Sequence, residues 1–326
     1  MTNVSKRNQS MDILRILACL GVIVVHVYSS SVFAMGYVER GSREWLYCYL
    51  LSSPFSWVIP AFVMITGFFF LNPKKSLPLK KLYGRSILRL ALSLVFWTWF
   101  YAIILKGLYT SYYPFGGQEN NFWYVGMCIG LYISMPVLRS IAANDKLLSY
   151  FCWMWLLIRL YYYIGNFVEL PIVFTDYVFF GYIGYCMWGY YLTRIKTNKR
   201  QTRIVYFIGL LFFIITKAMT LLEINIHDSA EDFPTILVSI AVFLFVIKHP
   251  IELSPIYEKL VTHLSGMTFG IYMVHTFVII ESFTRIHRFI PNIYLLVPVS
   301  IIATFVFSYI IILIVKQIPV LKKWVI

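Results

Sequence analysis

Charged residues are scarce in this sequence. Only 13% of its 326 residues are charged, whereas 60% are hydrophobic and 19% aromatic; an average globular domain is about 25% charged. The mean hydropathy of +0.75 shows the same bias. A soluble chain of this length has too little core to hide so much apolar surface, which excludes the two-domain soluble fold that the length alone suggests. The sequence predicts an all-α polytopic membrane protein that forms one domain over residues 1–326.

The sequence also lacks the short motifs of several enzyme and binding classes. It has no glycine-rich phosphate loop, no GxSxG nucleophile elbow, no CxxC pair and no HExxH or HxxxH spacing. Its five cysteines all lie in apolar stretches, which favours reduced packing residues over disulfides: Cys19, Cys48, Cys128, Cys152 and Cys186. We therefore expect no metal site.

Basic residues outnumber acidic residues by 28 to 14, a net charge of +14. Such an excess can indicate nucleic-acid binding, but here the basic residues occupy short loops between apolar runs, and no nucleic-acid motif is present. With the spans assigned below, 19 Lys and Arg residues lie on the side of the termini and five on the other side. This asymmetry predicts a plasma-membrane protein with both termini in the cytoplasm and no nucleic-acid partner.

Ten stretches come close to the roughly 20 apolar residues that a membrane-spanning helix requires. They are residues 12–34, 46–71, 83–105, 121–138, 147–165, 171–193, 204–223, 233–248, 264–282 and 292–315. Pro54 and Pro60 fall inside the second stretch and predict a kinked or broken helix there. No soluble domain and no internal repeat is visible in the sequence.

The first span carries three ionisable residues, Asp12, Arg15 and His26. A charge in the apolar core costs at least ~2.5 kcal/mol on insertion scales, so such residues are functional candidates. Arg15 and His26 are eleven residues apart, which places them on one helical face about 16 Å apart along the axis. Asp12 lies one turn before Arg15 and can pair with it. Snorkelling of Arg15 and a carbonyl partner for His26 would explain each residue alone, but we favour function for the pair.

Two later spans carry further polar residues. Arg85 and Arg89 open the third span, and two guanidinium groups there suit a polyanionic ligand. In the ninth span Thr268, Tyr272 and His275 follow one helical stripe, with His275 at a depth comparable to that of the first-span histidine. A hydrogen-bonded packing stripe is the alternative interpretation.

Three more ionisable residues, Arg159, Lys217 and Asp176, fall towards the outer ends of their spans. They either pair structurally or line the site of an extracytoplasmic substrate, and the sequence favours neither reading.

Taken in order, these residues resemble the acyltransferase-3 family of integral membrane acyltransferases. The opening D-x-x-R-x(10)-H resembles the first-helix signature of that family. Four later segments resemble further family motifs: PAFVMITGFFFL at 60–71, WYVGMCIGLYISMP at 123–136, GYYL at 189–192 and TFGIYMVH at 268–275. The resemblance extends over roughly residues 11 to 280, and ten helices are usual for the family.

The resemblance implies that an acyl group, most often acetyl, moves from cytoplasmic acetyl-CoA to a hydroxyl of an envelope sugar, a polysaccharide or a lipid-linked glycan. Acyl-CoA is then a co-substrate, no cofactor is permanently bound, and the oligomeric state is open, a homodimer included. His26 and Arg15 carry over as the catalytic residues, and Arg85, Arg89 and Asp12 as the donor-binding group. The candidate lining residues are Trp123, Tyr132, Thr268, Tyr272 and His275.

Two positions depart from the family pattern. The third-helix arginines of the family usually read R-x-x-R, whereas Arg85 and Arg89 read R-x-x-x-R, and Thr268 replaces a serine. Histidine suits acid–base work on a hydroxyl because its ordinary pKa lies near neutrality. We expect His26 to act either as the base or as an acyl carrier.

Two other classes stay open at this stage. One is a transporter or flippase for an envelope precursor, although such folds usually show internal repeats. The other is a ligand-binding membrane domain without transferase activity. Consumption of acetyl-CoA separates a transferase from both.

Overall fold

The computed structural model describes residues 7–33, 35–104, 122–165, 167–168, 181–222 and 232–326. These residues are predominantly helical, and no strand occurs among them, which confirms the all-α prediction. The helices are α1 Gln9–His26, α2 Arg43–Ser52, α3 Val58–Phe70, α4 Leu88–Ile104, α5 Trp123–Ala142, α6 Asp145–Gly165, α7 Ile183–Arg194, α8 Lys199–Leu221, α9 Phe233–Lys248, α10 Pro255–Ser265, α11 Thr268–Phe289, α12 Ile293–Val315 and α13 Pro319–Trp324.

Eight helical stretches in the described ranges are long and apolar enough to cross a membrane. They are Gln9–Ser29, Arg43–Phe70, Leu79–Ile104, Trp123–Ala142, Asp145–Gly165, Lys199–Leu221, Thr268–Phe289 and Ile293–Val315. Each coincides with one of the ten predicted spans. Of the remaining two, the span at 233–248 is α9, an apolar helix of 16 residues. The span at 171–193 contains α7, while Asp176 lies outside the described residues.

The second predicted span is broken at its prolines, as the sequence indicated. α2 ends at Ser52, a 3₁₀ turn covers Ser53–Phe55, and α3 begins at Val58. Pro54 lies in the 3₁₀ turn and Pro60 in the first turn of α3. A first-turn proline removes an N–H that has no partner inside the helix, so both prolines fit their positions.

Two wide helical turns were not predicted. A π-helical segment, Val27–Phe33, continues α1 directly after His26. A second, Leu82–Ile87, precedes α4 and contains Arg85. π-Helical turns are rare and occur often at functional sites.

The described chain forms two compact units. The first comprises the residues up to Ala18, then Ser56–Ser76 and Met135–Ser265. The second comprises Cys19–Phe55, Leu77–Ser134 and Gly266–Ile326. Helices α1 and α5 contribute to both units.

In the first unit, α3 and α7 touch backbone to backbone at two glycines. A Cβ atom on Gly67 would overlap the backbone of Cys186, and one on Gly189 would overlap the backbone of Met64. Small residues allow this close approach, which supplies van der Waals contact where lipid leaves little hydrophobic driving force between helices. The two glycines belong to the segments 60–71 and 189–192 that carried the family resemblance.

In the second unit, α11 packs on α12, and α13 folds back onto α4. A Cβ atom on Gly270 would meet the side chain of Ile312 at 2.8 Å. Ser93 of α4 donates a hydrogen bond to the carbonyl of Val325 at 2.7 Å, and Val325 is buried. The lysines at the end of α12 and in α13 are therefore held beside the first turns of α4.

We predict that Gly189→Ala destabilises the protein, because its Cβ meets backbone that cannot rotate away. Overpacking of this kind costs about 1–3 kcal/mol, measurable as a lower Tm in detergent. Gly126→Ala is the matched control, since a Cβ at Gly126 meets no atom within 4 Å. Equal Tm values for the two variants would contradict the backbone contact.

Candidate functional site

Two histidines from different helices share a hydrogen bond in the second unit. His26 is the last residue of α1, and His275 lies in the second turn of α11. His26 Nδ1 and His275 Nε2 are 2.7 Å apart, and the rings stack with centroids separated by 4.9 Å. His275 is fully buried, whereas His26 is half-buried. The half-buried ring is thus the one that a substrate can approach.

The neighbours of His275 decide where the protons lie. His275 Nδ1 is 2.5 Å from the carbonyl oxygen of Tyr272, which can only accept, so Nδ1 carries the hydrogen. In the neutral ring His275 Nε2 is then an acceptor, and His26 Nδ1 must donate to it. For a neutral pair this leaves His26 Nε2 without a hydrogen, as a base or a nucleophile requires.

Aromatic rings extend from the histidine pair towards α5. The Tyr272 ring centroid lies 5.5 Å from that of His275, and the Tyr124 centroid lies 5.2 Å from that of Tyr272. Trp123, the first residue of α5, is half-buried against Tyr124. Sequence reasoning missed Tyr124, because a tyrosine in an aromatic-rich span gives no separate signal.

The turn of α11 that carries His275 is fixed from two sides. The Tyr101 hydroxyl donates to the carbonyl of Met273 at 3.0 Å and accepts from the N–H of Phe277 at 2.9 Å. The Cys19 thiol lies 3.7 Å from the carbonyl oxygen of Thr268, and both residues are buried. These bonds from α4 and α1 limit rotation of α11 and so hold the imidazole in place.

A group of cations lies at the start of α4 and the end of α12. Lys316 Nζ donates to the carbonyl of Gly266 at 2.9 Å, and the Arg89 guanidinium lies over the Phe269 ring, 5.9 Å from its centroid. Burial, with the neighbouring charges of Arg89 and Lys322, lowers the pKa of Lys316. We call Arg85, Arg89, Lys316 and Lys322 the cation group.

Within the part of the chain that the structure describes, no member of the cation group forms an ion pair with a carboxylate. Like charges held close together repel one another and favour an anionic ligand. Arg85 and Arg89 were predicted from the sequence as donor-binding candidates, whereas Lys316 and Lys322 counted only among the 19 basic residues that orient the chain. Only the return of α13 to α4 brings the lysines to the arginines.

The π-helical turn accounts for the unusual spacing of the two arginines. The Leu88 N–H bonds to the carbonyl of Tyr83, five residues earlier, so this turn contains one residue more than an α-helical turn. The R-x-x-x-R sequence likewise contains one residue more than R-x-x-R. The wide turn therefore accommodates the extra residue between Arg85 and Arg89.

Tyr132 lies between the cation group and the aromatic residues. It is a half-buried residue of α5, within electrostatic range of both Arg89 and Tyr124. Tyr132 thus lies within electrostatic range of one member of the cation group and of the aromatic residues next to the histidine pair.

A separate polar network surrounds Asp12 in the first unit. The buried Asp12 carboxylate accepts from Arg7 at 2.5 Å, from Ser265 at 2.7 Å and from Arg15 at 3.4 Å. Arg15 also donates to the Ser265 hydroxyl at 3.1 Å. The predicted Asp12–Arg15 pair is present, with Arg7 and Ser265 as partners that the sequence did not reveal. Ser265 also ends α10 and is followed by a turn before α11, so the predicted single helix at 264–282 is corrected.

Comparison with known families identifies the class of protein to which the chain belongs. The acyltransferase-3 family model, described as an acyltransferase domain, matches residues 8–315. The chain belongs to this family. No curated protein and no solved structure matches it. The chain is therefore a membrane acyltransferase. The histidine pair and the two arginines of the cation group lie within the matched range, whereas Lys316 and Lys322 follow it.

The remaining candidates of this acyltransferase lie elsewhere. Arg159 and Lys217 are buried in the first unit, with their charged groups 5.7 Å from the ring centroids of Trp155 and Phe213 respectively.

All five cysteines are free thiols, and Cys128 is the one that is not buried. Their assignment as packing residues agrees with these positions.

We predict that His26 carries its hydrogen on Nδ1 at neutral pH, because His275 Nε2 can only accept. Nitrogen-15 NMR of labelled histidine in nanodiscs, assigned by a His26→Gln variant, measures this. His275→Phe removes the acceptor and should abolish the preference. A hydrogen on Nε2 of neutral His26 in the unmodified protein would contradict the bonding pattern.

Proposed function

We propose that this acyltransferase moves an acyl group, normally acetyl, from cytoplasmic acyl-CoA to a hydroxyl of a cell-envelope sugar or polysaccharide. It acts in the plasma membrane with both termini in the cytoplasm, as the distribution of lysine and arginine favours. The family resemblance supports the acyl-CoA donor and the envelope acceptor, and the cation group adds support for the donor.

The presence of the cation group and the histidine pair in one compact unit is the observation that carries the proposal. CoA is a polyanion joined to its thioester by a long, flexible arm. The cation group offers four positive charges without a carboxylate partner among the described residues, as phosphate binding requires. Tyr132, Tyr124 and Tyr272 then line a course from these charges to the base-competent nitrogen of His26.

In the reaction that we propose, His26 Nε2 accepts the proton of the acceptor hydroxyl while the oxygen of that hydroxyl attacks the thioester carbonyl carbon. A C–O bond forms, the tetrahedral intermediate collapses and the C–S bond breaks. The CoA thiolate then takes the proton from His26 Nε2. His275 keeps His26 oriented and helps to spread the positive charge that His26 gains during the step.

The network around Asp12 supports a different role for Arg15. Its guanidinium already shares a carboxylate with Arg7, so it is less suited than Arg89 to bind donor phosphates. We therefore assign the phosphates to the cation group, and retain Arg15 and Asp12 as a pair that fixes the first turns of α1. Arg15 keeps its proposed importance for activity through this pair.

We predict that His26→Ala lowers acyl transfer by ~10²–10⁴-fold, the usual contribution of a general base. CoA thiol release from acetyl-CoA, with extracted envelope glycan as acceptor, measures the rate in nanodiscs. His249→Ala, at an exposed histidine, is the control. Binding of acetyl-CoA should persist in both variants.

Full activity of His26→Ala at normal expression would remove the histidine from the mechanism. Mass spectrometry of the protein with acetyl-CoA but no acceptor separates the base from the acyl carrier. We expect no covalent adduct, whereas acetyl on His26 would assign it as a nucleophile. Transport of an envelope precursor without CoA consumption would favour the transporter class instead.

We predict that Arg89→Glu and Lys316→Glu each raise KM for acetyl-CoA with little change in kcat. A hydrogen bond to a charged group contributes about 1.5–3 kcal/mol, so the rise should be roughly 10- to 100-fold. Arg40→Glu, outside the cation group, is the control. Acetyl-dephospho-CoA sharpens the test, because a variant that has lost the phosphate contact should no longer distinguish it from acetyl-CoA. Undiminished discrimination would place the phosphates elsewhere.

A further inference from the structure

Helix α10, Pro255–Ser265, has one apolar face. At about 100° per residue, its five large apolar side chains fall within an arc of roughly 140°: Ile256, Tyr257, Leu260, Val261 and Leu264. The opposite side carries Glu258, Lys259, Thr262 and His263. This segregation is typical of a helix that lies at a boundary between an apolar and a polar medium.

The apolar face of α10 is open in the structure. Ile256, Tyr257 and Leu260 are 78%, 61% and 53% exposed. Nearby in the chain, Ile251 is 45% exposed. The described residues thus leave a contiguous apolar surface uncovered, and such a surface in contact with water is unfavourable.

Polar bonds nevertheless tie the segment around α10 to the start of α1. The Ile251 N–H donates to the Ser10 hydroxyl at 2.8 Å, and the Leu253 N–H donates to the Gln9 side-chain oxygen at 2.7 Å. At the other end the Ser265 hydroxyl donates to Asp12 at 2.7 Å. The segment is therefore anchored to α1 before and at the end of α10, whereas Ile256, Tyr257 and Leu260 between these points remain exposed.

The position of α10 in the chain indicates which medium this is. Its 11 residues extend only about 16 Å, too short for a hydrocarbon layer of ~30 Å. It follows α9, an apolar helix that ends at Lys248, and precedes α11, which begins at Thr268 and is long enough to span. A short amphipathic helix that directly precedes a membrane-spanning helix is suited to the membrane surface.

The charges around α10 favour apolar insertion over attraction to anionic lipid. Lys248 and Lys259 are balanced by Glu252 and Glu258. Tyr257 has the apolar ring and polar hydroxyl that suit the headgroup region. The surface that fits is thus the boundary between headgroups and acyl chains, in zwitterionic as well as anionic lipid.

We propose that α10 is an interfacial helix whose face of Ile256, Tyr257 and Leu260 inserts into the adjacent leaflet and holds Ser265 against Asp12. The bilayer then acts as a structural partner of the Asp12–Arg15 network. Without the lipid contact the apolar face of α10 is no longer held in place. The Ser265 hydroxyl at the end of α10 is then held less firmly against Asp12.

The depth of α10 is tested with a nitroxide label at Leu260→Cys in nanodiscs of phosphatidylcholine, each containing one protein molecule. Power saturation compares collisions with oxygen, which concentrates in lipid, and with a water-soluble nickel chelate. We expect the Leu260 label to favour oxygen and a label at Lys259→Cys, on the polar face, to favour nickel. The unmodified protein, treated with the same reagent, gives the background from its own cysteines.

Two outcomes would overturn the proposal. A Leu260 label that favours nickel places the face in water, and a label shielded from both reagents shows that protein covers it. Because neither measurement involves acyl transfer, this test can fail while the proposed function holds.

A second experiment tests the link to Ser265 and rests on the proposed function. Leu260→Glu should lower acyl transfer by about 3- to 10-fold in the native background but have little further effect in a Ser265→Ala background, because coupled residues are non-additive. Lys259→Glu is the matched control. Equal effects in both backgrounds would show that α10 does not act through Ser265.

Discussion

The hydrogen bond between His26 and His275 is the constraint on which the site depends. A carbonyl oxygen beside His275 forces its Nδ1 to donate, and this fixes the direction of the next bond. The half-buried imidazole of His26 is left with an Nε2 that carries no hydrogen, and its orienting partner is a second histidine rather than a carboxylate. In a low-dielectric interior a neutral orienting partner avoids the cost of a buried charge that a carboxylate would introduce.

Two groups of cations in the described residues differ in their partners. Arg7 and Arg15 share Asp12, and Arg194 pairs with Asp145, so these charges are largely compensated. The cation group, by contrast, forms no ion pair with a carboxylate among the described residues, and we propose it as the site for the phosphates of the donor. The Asp12 network connects the first turns of α1 to the end of α10 through Ser265.

Close packing and wide turns position these groups. Glycines bring α3 to α7 in one unit and α11 to α12 in the other, at distances that any side chain would prevent. The π-helical turns beside His26 and Arg85 change the direction of side chains without ending the helix. Such turns would be costly in an isolated helix, so the surrounding packing must hold them.

The sequence alone determined the all-α membrane fold, eight of the spans and the broken second helix, and it made His26, Arg15 and Arg89 candidate site residues. These follow from hydropathy, proline chemistry and the cost of burying charge, which are local properties of the chain. Only the tertiary structure decided that His275 is the partner of His26, that Lys316 and Lys322 join the arginines, and that Ser265 meets Asp12. These pairs are separated by more than 200 residues. Their contacts depend on how helices pack, and hydropathy carries no information about packing partners.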